Sequence, residues 1–494
     1  MTENRSTLAR RGFLGGIAGV AAAFAAGCDT AAPTTKTGGP RSAKSGATSL
    51  KWWDHTPNMQ PANKKVFAAF EKEPGGVPVD YTYHPTSKLG QALQLAKQSG
   101  QLPDVHSLAG LRLPVPGLIK AGWLRPIELS DEALARLPED KLVEGIHLYD
   151  GKLYSVPIFT DKQYWAANWF NKQIVQEAGL DPASPPRTYD EFRAAARAVK
   201  RLGKDGVSAW LFNLGFASRV AEHVNFLAQG AGFEGFDGVR YRTGEIAYHD
   251  EAYVTVLEFL LSLHKDGLLF PGSQSLDDKI GRIRWAAGAA AFFFDGPWCA
   301  GDITRDAAAF TEKLDVGPML VPETSRQVTA YRAPAGGMYW LSKSARAVDE
   351  ANQLLGHLTT PDYYVDIASG MAQPPLDLTA VDKADVHPAW RKLVGWYAED
   401  VFTAPVPVVK NPDVAKVAAE TKDVTPGLGE LVQGMFAGDV KDVAGALKQL
   451  SDKTAAARED ALAAARKKGA RVDLDDWAFP NWQPRRDFTN DQYQ

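Results

Sequence analysis

The side chains best suited to bind a ligand stand at the end of residues 285–298, which read W-A-A-G-A-A-A-F-F-F-D-G-P-W. The apolar run is short and Gly-Pro ends it, so we expect a buried strand that opens into a loop. Asp295 and Trp298 then lie outside the carboxyl end of a core strand, where open α/β sheets bind ligands. An indole face packs on apolar groups and a carboxylate accepts hydrogen bonds. The alternative is that Trp298 covers the core and Asp295 caps the loop.

The elements that must position these residues are short strands that alternate with helices. Residues 62–71 and 89–98 have helical spacing, and residues 77–83 alternate as a strand does. T-Y-D-E at residues 188–191 is a capping box, and D-G at residues 150–151 predicts a hairpin turn. This alternation favours parallel or mixed sheets covered on their faces. About 445 residues after residue 48 exceed one core's usual size, so we expect two domains.

The first 48 residues have the composition of an export signal and a tether. Arg10 and Arg11 precede an uncharged Ala/Gly-rich segment, so residues 1–27 are predicted to be a twin-arginine signal. The sequence A-A-G-C then resembles the lipobox of bacterial lipoproteins and makes Cys28 the lipidated residue, with Ala25 where leucine is usual. The alternative is a secreted protein with a chance cysteine. Residues 28–48 are polar and Pro-rich, as expected of a flexible tether.

Composition excludes several classes of function. The chain has two cysteines, Cys28 and Cys299, so lipidation of the first leaves no disulfide. Loss of residues 1–27 would move the net charge from −4 to −6, which argues against a nucleic-acid partner. No other segment is long and apolar enough to span a bilayer. No clustered ligands favour a metal, and no cofactor is expected.

Enzyme motifs are missing or stand in the wrong context. G-x-G-x-x-G at residues 230–235 follows a helix predicted over residues 221–229 rather than a strand, so the dinucleotide interpretation fails. Motifs of metalloproteases, serine hydrolases, P-loop proteins and CxxC redox proteins do not occur. A carbohydrate hydrolase would need two carboxylates across a glycosidic bond, and Asp54 with Asp295 is the one pair to nominate. We therefore expect a protein that is not an enzyme.

The order of these segments resembles that of bacterial extracellular solute-binding proteins, in particular the sugar-binding branch that includes the maltodextrin-binding proteins. The matching motifs are L-P-D-V at 102–105, D-G-K-L-Y-S-V-P at 150–157, W-F-N-K at 169–172, P-P-R-T-Y-D-E-F at 185–192, L-F-N-L at 211–214, F-D-G-P-W at 294–298, and G-G at 336–337 before S-K-S at 342–344. Each motif is weak alone, and their order across residues 50–375 carries the resemblance.

The resemblance implies a type II periplasmic-binding-protein fold, in which two discontinuous α/β lobes are joined by a hinge and the ligand cleft lies between them. Lobe 1 is then residues 49–162 plus 333–377. Lobe 2 is residues 163–332 plus 378–494. Ligand binding would close the lobes, because the closed state makes additional contacts.

The function implied is capture of a sugar or oligosaccharide and delivery to the permease of an ABC importer. The protein would be a monomer at the extracellular face of the cell membrane, held there by lipid on Cys28. The same fold binding a peptide, a polyamine or an anion is the alternative. Polyamines need several carboxylates and anions need arginine or a helix N-terminus, whereas the candidate site is aromatic with few charges.

The resemblance also implies a set of ligand-binding residues, each with a structural alternative. The set is Trp53, Asp54, His106 with its neighbour Ser107, Asp161, Tyr164, Trp165, Phe216, Ser218, Asp295, Trp298, Arg332, Gly336 and Gly337. The alternatives are core or hinge packing for the rings, a surface salt bridge for Arg332 and close backbone approach for the glycines. Acidic and aromatic residues stand in the family where Phe216 and Ser218 stand here, which implies a different ligand.

Overall fold

The computed structural model describes residues 49–111 and 113–493. The export signal, the tether and Cys28 lie outside these residues. In chain order the strands are β1 Leu50–Asp54, β2 Val79–Tyr83, β3 Val105–His106, β4 Leu148–Tyr149, β5 Lys152–Leu153, β6 Ala167–Asn171, β7 Ser208–Leu211, β8 Gly235–Phe236, β9 Val239–Arg240, β10 Ala290–Asp295, β11 Leu314–Gly317, β12 Ala330–Arg332, β13 Trp340–Leu341 and β14 Val401–Thr403.

Helices connect and cover these strands. They are α1 Gln60–Phe70, α2 Thr86–Gln98, α3 Val115–Lys120, α4 Asp131–Ala135, α5 Lys172–Glu177, α6 Tyr189–Arg201, α7 Ala217–Gly230, α8 Glu251–Lys265, α9 Asp278–Arg284, α10 Cys299–Asp306, α11 Val348–His357, α12 Pro361–Ser369, α13 Ala380–Lys383, α14 Pro388–Asp400, α15 Pro407–Lys410, α16 Val414–Glu420, α17 Leu428–Ala437 and α18 Val443–Lys467.

Two four-stranded sheets form the centres of two lobes. The first has the order β13-β3-β1-β2, with β1 parallel to β2 and β3, and β13 antiparallel to β3. The second has the order β11-β6-β10-β7, with β10 parallel to β7, and β6 antiparallel to β10 and β11. In each sheet three strands therefore run in one direction and one is reversed, β13 in the first sheet and β6 in the second.

Each sheet has its own hydrophobic core. Trp52 and Phe70 are fully buried in the core of lobe 1. In lobe 2, Trp169, Trp210 and Phe292 lie on neighbouring strands and are almost completely buried. Every residue of β10 is buried, as expected of a central strand covered on both faces. The two-lobed α/β fold is thus the one that the sequence motifs imply, while the lobe boundaries at 162, 332 and 377 stay a prediction.

Three chain segments cross between the lobes. The first and third lie side by side, because the Thr160 amide donates to the Pro374 carbonyl at 3.1 Å and the Leu376 amide donates to the Ile158 carbonyl at 2.9 Å. The second crossing contains β12, which pairs in parallel with β14. β12 ends at Arg332, so this residue stands where the chain leaves lobe 2.

Local signals in the sequence account for several elements. The capping box is confirmed: Thr188 Oγ1 accepts from the Glu191 amide at 3.2 Å, and α6 begins there. The D-G turn is confirmed, since Asp150 and Gly151 have φ of 53° and 67° between β4 and β5. The segment before β10 differs from the prediction, because residues 285–289 continue α9 as a π-helical turn. Alanine and glycine do not favour strands, so these small residues do not prevent the helical turn.

No helix in residues 49–111 and 113–493 has the length and apolarity needed to cross a membrane. In the same residues, no group of three His, Cys, Asp or Glu side chains is placed to hold a metal ion. Cys299 is buried as a free thiol, and burial raises its pKa well above the ordinary value.

Two buried histidines give the fold a pH dependence. Burial lowers the pKa of His106 and of His147 to about 4. His147 Nδ1 accepts from the Val143 amide at 3.3 Å, which requires a neutral ring. As pH falls from about 6.5 to 4, the unfolded chain takes up these protons first, so stability is lost.

Between pH 7 and pH 5 we expect each histidine to lower the free energy of unfolding by about 2 kcal/mol. Urea unfolding of the wild type and of His147→Gln at both pH values measures this. Glutamine does not titrate, so the variant should lose less stability on acidification. An equal loss in both proteins would contradict a neutral His147 in the native state.

Candidate functional site

The carboxyl end of β10 is fixed by a buried ion-pair network. Arg282, at the end of α9, donates from Nε to Asp295 Oδ2 at 2.7 Å and from Nη1 to Asp302 Oδ2 at 2.6 Å. Asp295 is fully buried, and its Oδ1 accepts from the Gly296 amide at 2.8 Å. Arg282 thus holds the carboxylate that ends the strand, and this carboxylate in turn shapes the loop.

The same carboxylate orients Trp298. The indole Nε1 donates to Asp295 Oδ1 at 2.9 Å, so the loop brings the half-buried ring back over the strand end. The ring of Trp165, from the first crossing, meets it edge-on with centroids 5.2 Å apart. Phe226 of α7 lies 6.0 Å from Trp165 on another side. Two predicted ligand residues, Trp165 and Trp298, are therefore brought into one aromatic cluster.

Gly296 is the residue that lets the Trp298 ring lie close to the backbone. A Cβ at this position would meet the Trp298 ring at 2.4 Å, which no real contact tolerates. We expect Gly296→Ala to displace the indole from Asp295 and to weaken ligand binding by about 10-fold, as misplacement of a binding group does. Calorimetric titration measures the affinity. Gly395, where a Cβ meets nothing within 4 Å, gives the control Gly395→Ala, and equal affinities in the two variants would contradict this role.

Two arginines cover this aromatic pair. The guanidinium carbon of Arg219 in α7 lies 4.5 Å from the Trp298 ring centroid and 5.2 Å from that of Trp165. The guanidinium carbon of Arg332 lies 4.2 Å from the Trp165 centroid. Cations over indole faces are attracted by the ring quadrupole, so the rings and guanidinium groups stabilise one another. We call Trp165, Trp298, Arg219 and Arg332 the indole–arginine cluster.

Glu222, one turn after Arg219 in α7, is the nearest counter-charge of the cluster. Arg219 Nη1 donates to Glu222 Oε2 at 2.7 Å, and Arg219 Nη2 lies 3.6 Å from Asp278 Oδ2. Burial raises the pKa of Glu222, and the charges of Arg219 and Arg332 oppose that rise. Burial lowers the pKa of Arg332 to about 10, still far above neutrality. The Arg332 guanidinium is thus charged at pH 7.

In lobe 1 the carboxyl ends of β1, β2 and β3 carry a second, polar group. The Trp53 ring packs against His84 with ring centroids 4.5 Å apart and the ring planes tilted by 54°. His55 Nδ1 lies 2.8 Å from Ser107 Oγ. These four side chains come from three neighbouring strand ends, which is the edge where a ligand of a parallel sheet is expected.

Asp54 lies beneath this group with its oxygens already engaged. It is fully buried and accepts from the His55 amide at 2.6 Å, the Thr56 amide at 3.2 Å, Asn63 Nδ2 at 3.1 Å, Tyr81 Oη at 3.1 Å and Tyr339 Oη at 3.0 Å. Burial raises the pKa of this carboxyl, and the proximity of His55 opposes the rise. Five donors leave Asp54 little capacity for a ligand, so its place favours support of the strand ends.

Other predicted residues fall into buried and exposed groups. His106 is fully buried, with Nδ1 2.9 Å from the Ser107 carbonyl, and Tyr164 is fully buried with its ring edge on Tyr397. Asp161 is buried in the first crossing and accepts from Thr403 Oγ1. These contacts favour the structural alternative for all three.

Phe216 and Ser218, by contrast, are exposed at the start of α7, and 39 % of the Phe216 side chain is accessible. Gly336 is exposed, whereas a Cβ on Gly337 would lie 2.2 Å from Ser155 Cβ. Gly337 therefore allows its backbone to pack closely against Ser155, which is the structural alternative given for the glycines. The roles of these residues in ligand binding stay predictions.

Sequence reasoning missed Arg219, Glu222, His55 and His84. The spacing R-x-x-E at residues 219–222 was the available signal for the first two, since it places both side chains on one helix face. His55 and His84 each follow directly after a predicted strand, the position used to nominate His106.

The molecule has two mixed four-stranded sheets, each with one reversed strand, three crossings between them and candidate ligand residues at the strand ends. These features define a type II periplasmic binding protein. A match to the family model for bacterial extracellular solute-binding proteins spans residues 52–365. The chain belongs to this family, as its sequence motifs indicated.

Individual relatives are distant. The sn-glycerol-3-phosphate-binding periplasmic protein UgpB of Agrobacterium fabrum is 28 % identical over 250 residues, which are 47 % of this chain and 54 % of the relative. The chain thus spans about half the length of this curated relative.

Solved structures match over most of the chain. Maltose-bound MalE3 of T. maritima has a TM-score of 0.62 at 17 % identity, covering 83 % of this chain and 99 % of its own. A solute-binding protein of an ABC transporter from Thermotoga lettingae, bound with α-D-tagatose, has a TM-score of 0.61 at 18 % identity, covering 84 % and 100 %. At such identities the likeness shows the fold alone.

Proposed function

We propose that this protein is the solute receptor of an ABC importer, which captures a small polyhydroxylated solute, a sugar or sugar derivative, between its lobes. The observation that carries the proposal is the Trp298 ring, which Asp295 holds at the carboxyl end of β10 beside Trp165. Indole faces pack on the C–H faces of a sugar ring. Charged side chains around them donate strong hydrogen bonds to hydroxyl groups.

The relatives agree with this solute class. They include proteins that bind sn-glycerol-3-phosphate, maltose and α-D-tagatose, all of which carry several hydroxyl groups. A polyamine fits the cluster poorly, because Arg219 and Arg332 would repel a cation there.

Delivery would follow from lobe closure. The three crossings form the hinge, and the closed, loaded form would be recognised by the permease. Lipid on Cys28 would keep the receptor near that permease at the extracellular face of the membrane, with residues 28–48 as the tether. We place the lobe boundaries at residues 162, 332 and 377 for this closure, and we propose that the receptor acts as a monomer.

A hydrolase of the same carbohydrates finds little support in the two carboxylates that it would need. Asp54 is buried inside lobe 1 and accepts five hydrogen bonds, and Asp295 is paired with Arg282 inside lobe 2. Neither is poised to transfer a proton or to attack a sugar, since a glycosidase carboxyl must reach the scissile bond. We therefore propose binding without catalysis.

Thermal-shift measurements of the purified protein test the solute class. The panel contains mono- and oligosaccharides, sugar acids and phosphates, polyamines, amino acids and short peptides. A ligand that binds the native state alone raises the melting temperature by mass action. A shift with one class of sugar or sugar derivative is expected. A shift with a polyamine or peptide and none with any polyhydroxylated solute would overturn the proposal.

A further inference from the structure

Arg332 is a charged side chain without a counter-ion at the candidate site. Among the described residues its guanidinium group makes no hydrogen bond and no ion pair, and its contact is the face of Trp165 at 4.2 Å. Its Nη1 is sealed from solvent and has no hydrogen-bond partner. Buried polar groups are nearly always hydrogen-bonded, so an unpaired guanidinium N–H calls for a partner that the chain does not supply.

The neighbouring arginines, in contrast, make ion pairs. Arg282 contacts Asp295 and Asp302 at 2.7 and 2.6 Å, and Arg219 contacts Glu222 at 2.7 Å and Asp278 at 3.6 Å. Each also has one nitrogen without a hydrogen-bond partner, Nη2 of Arg282 and Nε of Arg219. Among the described residues no carboxylate lies within 4 Å of the Arg332 guanidinium, and Glu222 and Asp161 stabilise its charge only from a greater distance. Arg332 is therefore the arginine of the indole–arginine cluster that makes no ion pair.

Stacking on Trp165 prepares this guanidinium for an oxyanion. The guanidinium carbon lies 4.2 Å from the Trp165 ring centroid, and Nη1 has no hydrogen-bond partner among the described residues. Such an edge matches the paired oxygens of a carboxylate or a phosphate and binds them through two parallel hydrogen bonds. The stack also restricts the side chain before binding, so less freedom is lost when the anion arrives.

Resting on the proposed capture of a polyhydroxylated solute, we infer that the solute carries an anionic group and that Arg332 binds it beside the rings of Trp165 and Trp298. Trp298 supplies the platform for the apolar face of the solute, and Arg332 supplies the charge. The group is a carboxylate or a phosphate ester.

Calorimetric titration with matched pairs of solutes tests the inference. The pairs are glucose with glucuronate, glucose with glucose 6-phosphate, and glycerol with glycerol 3-phosphate, so the two sources of negative charge are compared on the same polyol. We expect the anionic member of at least one pair to bind about 30-fold or more tightly than the neutral member. The pair that shows the preference tells carboxylate from phosphate.

Substitution of Arg332 is the second part of the calorimetric test. Arg332→Gln should abolish the preference for the anion, while Arg332→Lys keeps a charge and should retain part of it. The melting temperature without ligand should change only slightly in both variants, because Arg332 makes no ion pair and Arg332→Gln loses one cation–π contact with Trp165. Arg125→Gln, at a partly exposed arginine of lobe 1, is the control and should leave the preference intact.

The possible outcomes separate this inference from the proposed function. Equal affinity for both members of every pair, or a preference that survives in Arg332→Gln, would overturn the anionic group alone and leave sugar capture standing. If no member of any pair binds, and no other polyhydroxylated solute does, the proposed function falls and the inference falls with it.

Discussion

Replacing Arg282 with methionine should lower the free energy of unfolding by about 3–5 kcal/mol, the cost of leaving a buried charge without its partner. The side chain is 7 % exposed and neutralises Asp295, which is fully buried, together with Asp302. Methionine fills much of the space but offers no donor, so two carboxylates would face each other across an apolar side chain. Chemical denaturation at pH 7 measures the loss.

Arg305 provides a matched comparison, because it contacts the same Asp302 at 3.0 Å but is 36 % exposed. Arg305→Met should cost less than about 1 kcal/mol, as exposed ion pairs do. Similar losses in the two variants would show that burial does not determine how much these ion pairs contribute to the free energy of unfolding. A loss below about 1 kcal/mol for Arg282→Met would contradict the buried network itself.

Trp298→Ala should weaken solute binding by about 30- to 150-fold, equivalent to about 2–3 kcal/mol, the range of a central aromatic binding residue. The ring is held by Asp295 and covered by Arg219, so it is presented in one orientation before the solute arrives. Stability should change less than binding, because the ring is only half-buried. Calorimetric titration with the solute identified by the thermal-shift panel measures the affinity.

Trp396 is the control for this substitution, since it is also half-buried and also lies beneath a cation, Lys392 at 5.6 Å. It stands in α14, which contributes no predicted ligand residue. Trp396→Ala should leave the affinity unchanged. An unaltered affinity in Trp298→Ala would contradict the proposal that the Trp298 ring is the main surface on which the solute packs.

Much of the fold was predictable because its signals are local. F-F-F-D-G-P-W gave a buried strand that ends in a loop, and β10 ends at Asp295. The capping box at Thr188 placed the start of α6 at its observed position. The sequence motifs then implied the two-lobed architecture, which no local pattern contains.

The arginines of the site were harder to find, for physical reasons. The predicted helix began at Ala221, whereas α7 begins at Ala217, because Phe216 in the capping position makes no side-chain hydrogen bond that would mark the start. Arg219 was therefore left outside the predicted helix. The contact of Arg332 with Trp165 joins two different crossings, and tertiary structure alone brings them together. The burial of Asp54 under Tyr81 and Tyr339 is equally non-local.

Small-angle scattering of the purified protein, with and without a saturating amount of the solute found in the panel, tests the central claim of capture between closing lobes most directly. Ligand contacts with both lobes favour the closed state, so the radius of gyration should fall on binding. Trp298→Ala at the same solute concentration should keep the unliganded value. A radius of gyration that stays constant while calorimetry shows full occupancy would contradict the account, because the solute would then bind without closure.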